Sequence, residues 1–498
     1  MLKDIKNLVK DSLLYGLGNI SVKLIGFILL PLYLSRLTPA DYGVLGLVEV
    51  TTQVLLQLFG LELYQALMRW YWEPGYRERQ KTMFFSVILF VSLVAALLVV
   101  SGWLAAESVS QLLFRTVQFT CLVRLMFLLA GLQIVTLIPS TLLRVQGRPG
   151  LYTVTHILNL LVSLGLTIYL VVGLGQKVEG IYLAQVIGYI FNLLILGGYI
   201  RRNIDWHFEW TLLKEMLHYS LPLVFSTLAG VLLVLADRYT LNYMGTLADV
   251  GIYSLGFKIA NTIKVLIVSS VQLAIYPIAF RMVGRPNALR FYSKIMTYLT
   301  FGVMFFVLCI SFYGQEIVKF FTHNRAYWDA YQVIPLISFG ILFGMLKDTA
   351  VIGLSISKQT RIIAVVIITM SLLNLGLNIL LIPHFKSVGA AFATLVTQIL
   401  FFVVMLHFAQ RRYYIPYELK KVALMIILGV LLTGGVILFR HLPLLLRLGL
   451  KLIMLLIYPL LLYCCHFYEK VELETLKNFW NKWCQPRHWR KNIADIKF

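Results

Sequence analysis

The sequence predicts an all-α polytopic membrane protein of about fourteen transmembrane helices. Two six-helix lobes are related by a parallel pseudo-two-fold repeat, and two extra helices follow at the C-terminal end. Three observations carry this. Apolar residues make up 59% of the 498 residues and charged residues 13%, where soluble domains carry ~25% charged residues. Mean hydropathy is +0.82. Apolar stretches of about 20 residues, enough for a helix to cross ~30 Å of hydrocarbon, recur from end to end, whereas a barrel would show alternating segments of about 10. Finally, a phrase returns: Thr38-Pro39-Ala40-Asp41-Tyr42-Gly43 recurs as Thr246-Leu247-Ala248-Asp249-Val250-Gly251, 208 residues later, with four of six positions identical. A second pair, Leu161–Leu166 against Leu372–Leu377, lies 211 residues apart in the same order. Together they point to a duplicated unit of about 210 residues.

Taken in order, the expected spans lie near 12–34, 43–66, 82–103, 117–140, 152–174, 179–200, 217–241, 251–278, 293–313, 328–352, 362–383, 388–409, 422–439 and 448–467. The repeated phrase falls between the first two helices of each half and reads as a tight outer turn. Six spans per repeat leave both halves in one orientation, so the repeat axis lies along the membrane normal. The domain organisation that follows is an N-lobe at 1–210, a C-lobe at 211–410, accessory spans at 411–467 and a basic, aromatic cytoplasmic tail at 468–498. The tail sets Trp480, Trp483 and Trp489 among basic residues, which suits either an anionic leaflet surface or a solvated end.

The five cysteines, Cys121, Cys309, Cys464, Cys465 and Cys484, are odd in number and have neither disulfide nor metal spacing. No cleavable signal peptide is read, because the first apolar run is long and leads into more membrane. Presumed inner segments hold 29 Lys and Arg and outer loops 8, which places both termini in the cytoplasm.

Seven basic residues fall inside the expected spans, where charge is costly and faces protein or a wet cavity. On span 1, Ser12, Gly16, Asn19, Lys23 and Gly26 share a narrow helical face. That face fits a cavity wall, or helix packing with Lys23 paired to an acid. On span 2, Glu49 is a partner for Lys23, a proton carrier or a cation site. Arg124 sits about two turns into span 4. His156 on span 5 shares a face with Tyr152, Asn159 and Ser163, which fits interhelical hydrogen bonding or a proton relay.

The second half adds Asp237 and Arg238, neighbours that point about 100° apart on a helix. Span 8 carries Ser254, Lys258, Asn261 and Lys264 on one stripe, with no acid on it. Lys347-Asp348 is expected to reach headgroups and Lys451 to snorkel. The balance is cationic: Lys23, Arg124, Arg238, Lys258 and Lys264 stand against Glu49 and Asp237. A pathway of that sign suits an anionic cargo.

At this point the residues resemble a known family. The phrase "LPLYLSRLTPADYG" follows a first helix bearing Asn19 and Lys23, and "ADRYTLNYMGTLADVGIYSLGFKI" and "VGAAFATLVTQ" come later. Together they look like the polysaccharide transporter family, the O-antigen and oligosaccharide flippases of the multidrug/oligosaccharidyl-lipid/polysaccharide exporter superfamily. The resemblance implies a V-shaped, alternating-access transporter in a bacterial inner membrane. Its cargo would be an undecaprenyl-diphosphate-linked oligosaccharide carried from the cytoplasmic to the outer leaflet, with glycan-assembly enzymes as possible partners and nucleic acid not among them. Lys23, Asn19, Arg124, Arg238, Lys258, Asn261 and Lys264 become candidates for the pyrophosphate and cavity, and Glu49, Asp237 and His156 for ion coupling. No cofactor or metal is expected. A proton gradient, a sodium gradient or the membrane potential would supply energy, the last at about 2.3 kcal/mol per charge per 100 mV. The alternatives are a cation-coupled multidrug exporter, which needs acids to dominate the cavity, and a membrane glycan polymerase or ligase, which needs an outer-loop acid–base constellation. The longest expected outer loop, 314–327, carries none.

Overall fold

The computed structural model describes residues 29–474 apart from 270, 273–278, 280–281, 358, 440 and 471. Asn19, Lys23, most of the expected first span and the tail from 475 lie outside the described residues.

The repeated phrase builds the same local structure twice. A short helix α1 (Leu30–Arg36) turns at Leu37 into α2 (Pro39–Phe59). Thr38 caps α2: its backbone N–H donates to Asp41 Oδ2 at 3.0 Å, and the Asp41 N–H donates back to Thr38 Oγ1 at 3.2 Å. Thr246 and Asp249 repeat both bonds at 3.0 and 3.2 Å in front of α10. The Thr-x-x-Asp spacing is a reciprocal capping box that satisfies two otherwise orphaned amides. Pro39 at the first helical position presets the helical φ.

Beyond α2, the chain breaks where Leu61 and Glu62 both adopt φ 52° and continues as α3 (Leu63–Trp70). The expected second span is therefore two helices. Glu62 is buried and accepts from Gln65 Nε2. Next come α4 (Gln80–Leu104), α5 (Ala106–Phe114), α6 (Thr120–Val145), α7 (Pro149–Ile168) and α8 (Val178–Asn203). The second half opens with α9 (Trp210–Met244) and α10 (Leu247–Ile263), which passes into a π-helical turn at Lys264–Val268. It continues with α11 (Ala288–Phe321), α12 (Ala330–Ile356) and α13 (Thr360–Arg412), and the chain then runs through α14 (Leu419–Val436) and α15 (Leu444–Cys464).

One expected boundary moves and another is kept. Helix α11 runs through Phe321, so most of the expected 314–327 loop is helical. The expected eleventh and twelfth spans are the two arms of α13, which part at the non-helical Lys386 with φ 48° and ψ −128°, between the expected ends at 383 and 388. A Cβ on Gly389 would lie 2.6 Å from the Leu381 carbonyl oxygen, so only glycine lets the second arm of α13 fold back against the first. Among the described residues, eleven helices are long and apolar enough to cross a membrane, and no strand is present.

Two compact units emerge, Met1–Val283 with Gly314–Tyr414, and Gly284–Tyr313 with Ile415–Phe498. This grouping joins 284–313 to the two C-terminal spans rather than to the rest of 211–410. In the first unit α4, α6 and α8 pack against α2, α7 packs on α8 and α6, and α9, α12 and α13 pack around α10. Helix α2 lies directly on α10.

The second unit is tied at one end by charge. Lys294 Nζ on α11 donates to Glu418 at 3.0 Å and also to Glu469. Lys421 Nζ lies 3.2 Å from Glu418 and 3.5 Å from Glu469. Burial raises the Glu418 carboxyl, but hydrogen bonds from Lys294, Thr297 and Lys421 outweigh it and hold the group below its ordinary value. Glu469 is held low chiefly by its hydrogen bond from Lys294. Depressed carboxylates contribute stability that is complete above the unfolded carboxylate value, near pH 4.3, and is lost as pH falls through the folded values. Lys294→Met is therefore expected to lower the melting temperature of purified protein at pH 7, with a smaller deficit as pH drops below about 4. A deficit that is constant with pH would contradict the charge origin of this tie. In the same unit Lys451 is only 3% exposed, with Nζ 5.9 Å from the centre of the Tyr313 ring. It does not snorkel as expected; α15 turns it inward.

Candidate functional site

Helices α2 and α10 meet backbone to backbone at their capped ends. A Cβ on Gly43 would lie 1.9 Å from the Leu247 carbonyl oxygen, and one on Gly251 would lie 1.9 Å from that of Pro39. The two contacts are reciprocal, as a local two-fold axis between the repeated phrases requires. Small residues permit such close approach in membranes, and Cα–H···O contacts assist it. One turn further along, Gly46 faces Ser254, whose Oγ would lie 2.4 Å from an added Cβ.

Beside this contact lies a cavity of about 300 Å³ lined by both helices. Six of the residues singled out from the sequence line it: Glu49 from α2, Arg238 from α9, and Ser254, Lys258, Asn261 and Lys264 from α10 and its π-helical turn. The span 8 stripe therefore faces one cavity, as its helical spacing predicts. Tyr42, Gln53 and Phe257 complete much of the wall. Tyr42 and Phe257 are contributions that sequence reasoning missed. Tyr42 stands inside the repeated phrase, the one signal that could have drawn attention to it.

The stripe lacks an acid of its own, but α2 supplies one. Lys258 Nζ lies 3.7 Å from Glu49 Oε1, and 5.9 Å from the ring centres of Tyr33 and Tyr42. Glu49 thus has a partner in Lys258; the pairing with Lys23 lies outside the described residues. Arg238 is 6% exposed and donates from Nε to Ser254 Oγ at 3.1 Å, with its guanidinium 4.8 Å from the centre of the Phe257 ring. Three cations, Arg238, Lys258 and Lys264, thus share a wall with one carboxylate.

Asp237 and Arg238 part company. Arg238 faces the cavity, while Asp237 turns into the second half and is 1% exposed. Asp237 accepts from Asn378 Nδ2 and Thr394 Oγ1, each at 2.7 Å, and from the Tyr253 hydroxyl. Asn378 and Thr394 come from opposite arms of the broken α13, so this carboxylate ties both arms to α9 and α10. Asn378 also donates to Asn374 Oδ1 at 3.1 Å. Arg124 and His156 lie outside the cavity lining. Arg124 stands 5.3 Å from the centre of the Trp103 ring. The His156 ring centre is 4.2 Å from that of Tyr152.

The family model described as polysaccharide biosynthesis protein matches residues 8–283, more than half of the chain. The chain belongs to this family. No curated protein sequence matches it. Among solved structures, lipid II flippase MurJ in an inward closed conformation aligns with a TM-score of 0.72 at 14% identity, over 92% of this chain and 100% of that one. An inward-facing multidrug resistance MATE family transporter of the MOP superfamily aligns at 0.65 and 13% identity, over 78% and 94%. A MOP superfamily transporter from Pyrococcus furiosus, whose title describes a binding pocket of reversed polarity, aligns at 0.52 and 15% identity, over 82% and 95%. At these identities the likeness is one of fold: this family member is a multi-pass membrane protein with a MOP-type transporter architecture.

Proposed function

We propose that this protein is a lipid-linked oligosaccharide flippase. It carries an undecaprenyl-diphosphate-linked glycan from the cytoplasmic to the outer leaflet of a bacterial inner membrane by alternating access, with both termini cytoplasmic. The observation that carries the proposal is the sign of the α2–α10 cavity, where, among the described lining residues, the cations Arg238, Lys258 and Lys264 outnumber the acid Glu49. A sugar chain cannot cross hydrocarbon unaided, because each unpaired hydroxyl costs kilocalories. A polar, cationic cavity substitutes for water around the head group while the lipid tail stays in the bilayer. Ammonium and guanidinium groups hold a diphosphate strongly at reduced dielectric. The family membership and the flippase fold support the same reading. A volume of about 300 Å³ is at the small end for a ligand cavity, suited to the diphosphate rather than to the whole glycan.

Coupling to a proton gradient, a sodium gradient or the membrane potential belongs to the proposal. Of Glu49, His156 and Asp237, we put forward Asp237, because it neighbours the cavity cation Arg238 and joins both arms of α13. A change in its occupancy would be felt by four helical segments. The test is a reconstituted flipping assay with defined lipid-linked glycans, run with and without each ion gradient. Glycan flipping accelerated by a gradient is the expected result. Export of cationic dyes without glycan flipping would favour the cation-coupled exporter instead, and chain extension of the glycan without any translocation would favour the polymerase.

A further inference from the structure

We infer that Glu49 is an internal stand-in for the transported anion. It holds Lys258 while the cavity is unloaded, clamps α2 to α10 beside the glycine contact, and yields the lysine when a diphosphate arrives. The inference rests on the anion-binding reading proposed above.

Four observations lead there. The Glu49–Lys258 separation of 3.7 Å counts as an ion pair but exceeds hydrogen-bond length. The Glu49 side chain is 42% exposed and the Lys258 side chain 25%, and both line the cavity, so an anion that enters it reaches both groups. A carboxylate carries one negative charge, whereas a diphosphate carries two and also attracts Arg238 and Lys264 on the same wall. The diphosphate therefore wins the lysine.

The fourth observation concerns what the pair holds shut. The contact of Gly43 with Leu247 and of Gly251 with Pro39 involves backbone atoms. At these two points backbone meets backbone with no side chain between, so the helices close tightly there. Among the described residues, the ion pair bridging α2 and α10 is Glu49–Lys258. At the 208-residue repeat offset, the counterpart of Lys258 is Val50 and that of Glu49 is Phe257. The seal is thus duplicated and symmetric, whereas the charge pair is not repeated and crosses it once. Removing Lys258 from Glu49 releases the seal, so loading and opening are linked through one side chain.

The experiment uses the full chain, freed of native cysteines, in lipid nanodiscs, with pyrophosphate as the probe. Spin labels at Ala40 and Ala248, one beside each glycine contact, report the distance between the capped ends by pulsed electron resonance. Gly43→Val, which cannot close against Leu247, provides the open reference. Glu49→Gln is expected to raise pyrophosphate affinity roughly tenfold and to populate the longer distance without ligand. Pyrophosphate is expected to produce the same lengthening in the otherwise native chain. Glu49→Asp, with a shorter arm, should move both readouts the same way by less, and it serves if the glutamine variant fails to fold. Unchanged or weaker affinity in Glu49→Gln, with binding abolished in Lys258→Gln, overturns the stand-in role while leaving the anion cavity in place. Raised affinity with an unchanged distance overturns the clamp. No pyrophosphate binding by the native residues or by Glu49→Gln overturns both the inference and the anion reading beneath it.

Discussion

Lys258→Ala is expected to reduce glycan flipping by at least about thirtyfold at equal protein abundance. The expectation follows from losing one partner of a shielded, charge-assisted contact, which costs about 2–5 kcal/mol, at 1.36 kcal/mol per factor of ten. Lys258→Arg should retain more activity than alanine but less than lysine, because a flat guanidinium does not reproduce the geometry of a compact ammonium. Lys258→Glu should be worst, since it sets a second carboxylate opposite Glu49 and against the phosphate. A competing explanation is that Lys258 only neutralises Glu49, which lies 3.7 Å away. A double-mutant cycle separates the two. If neutralisation is the whole role, Glu49→Gln combined with Lys258→Gln restores the activity that Lys258→Gln alone destroys. If the lysine holds the cargo, the double variant stays as impaired as the lysine variant. Full rescue, scored by flipping rate in proteoliposomes, would sink the ligand-binding role of Lys258.

Much of this site was legible in the sequence, for identifiable reasons. Helical periodicity alone placed Ser254, Lys258, Asn261 and Lys264 on one face, and all four line one cavity. The repeated phrase announced matching caps, because Thr-x-x-Asp followed by glycine encodes both a capping box and a close approach. Periodicity tells which residues share a face but not which neighbour covers it. That is why Arg124 shared the cationic argument yet lies beside Trp103. The same limit concealed the partner of Glu49, which stands 209 positions away on another helix. Lys451 illustrates a different limit. Its place near a helix end fitted snorkelling, but the packing of Tyr313 and α15 within their unit turned it inward. Asp237 and Arg238 were correctly read as diverging by about 100°. The polar core that receives Asp237 is built from Asn378 and Thr394, more than 100 positions distant, whereas Arg238 is held on the cavity wall by Ser254, 16 positions away.

Asp237→Ala is expected to produce the largest loss of stability of any single substitution in the second half. The carboxylate is 1% exposed and receives three hydrogen bonds, from Tyr253, Asn378 and Thr394. Truncation leaves three donors facing a small void, and a buried donor without an acceptor costs about 1–3 kcal/mol. Water has poor access there, and lipid offers none. The summed loss, roughly 3–5 kcal/mol after partial relaxation, is comparable with much of the stability of a domain. The second effect is geometric. Asn378 and Thr394 stand on opposite arms of α13, which meet at the non-helical Lys386. Without Asp237 the arms lose their common tie to α9 and α10. Asp237→Asn separates charge from shape: its one carbonyl oxygen still accepts, while its amide group now points donors at donors. It should therefore be less destabilised than alanine, yet fail to show any dependence of flipping rate on the gradient that the native protein uses. Thermal unfolding of the detergent-purified variants, paired with flipping measured with and without a sodium or proton gradient, gives both readouts. An asparagine variant whose flipping keeps the native gradient response would remove Asp237 from ion coupling and leave it as the structural tie across α13.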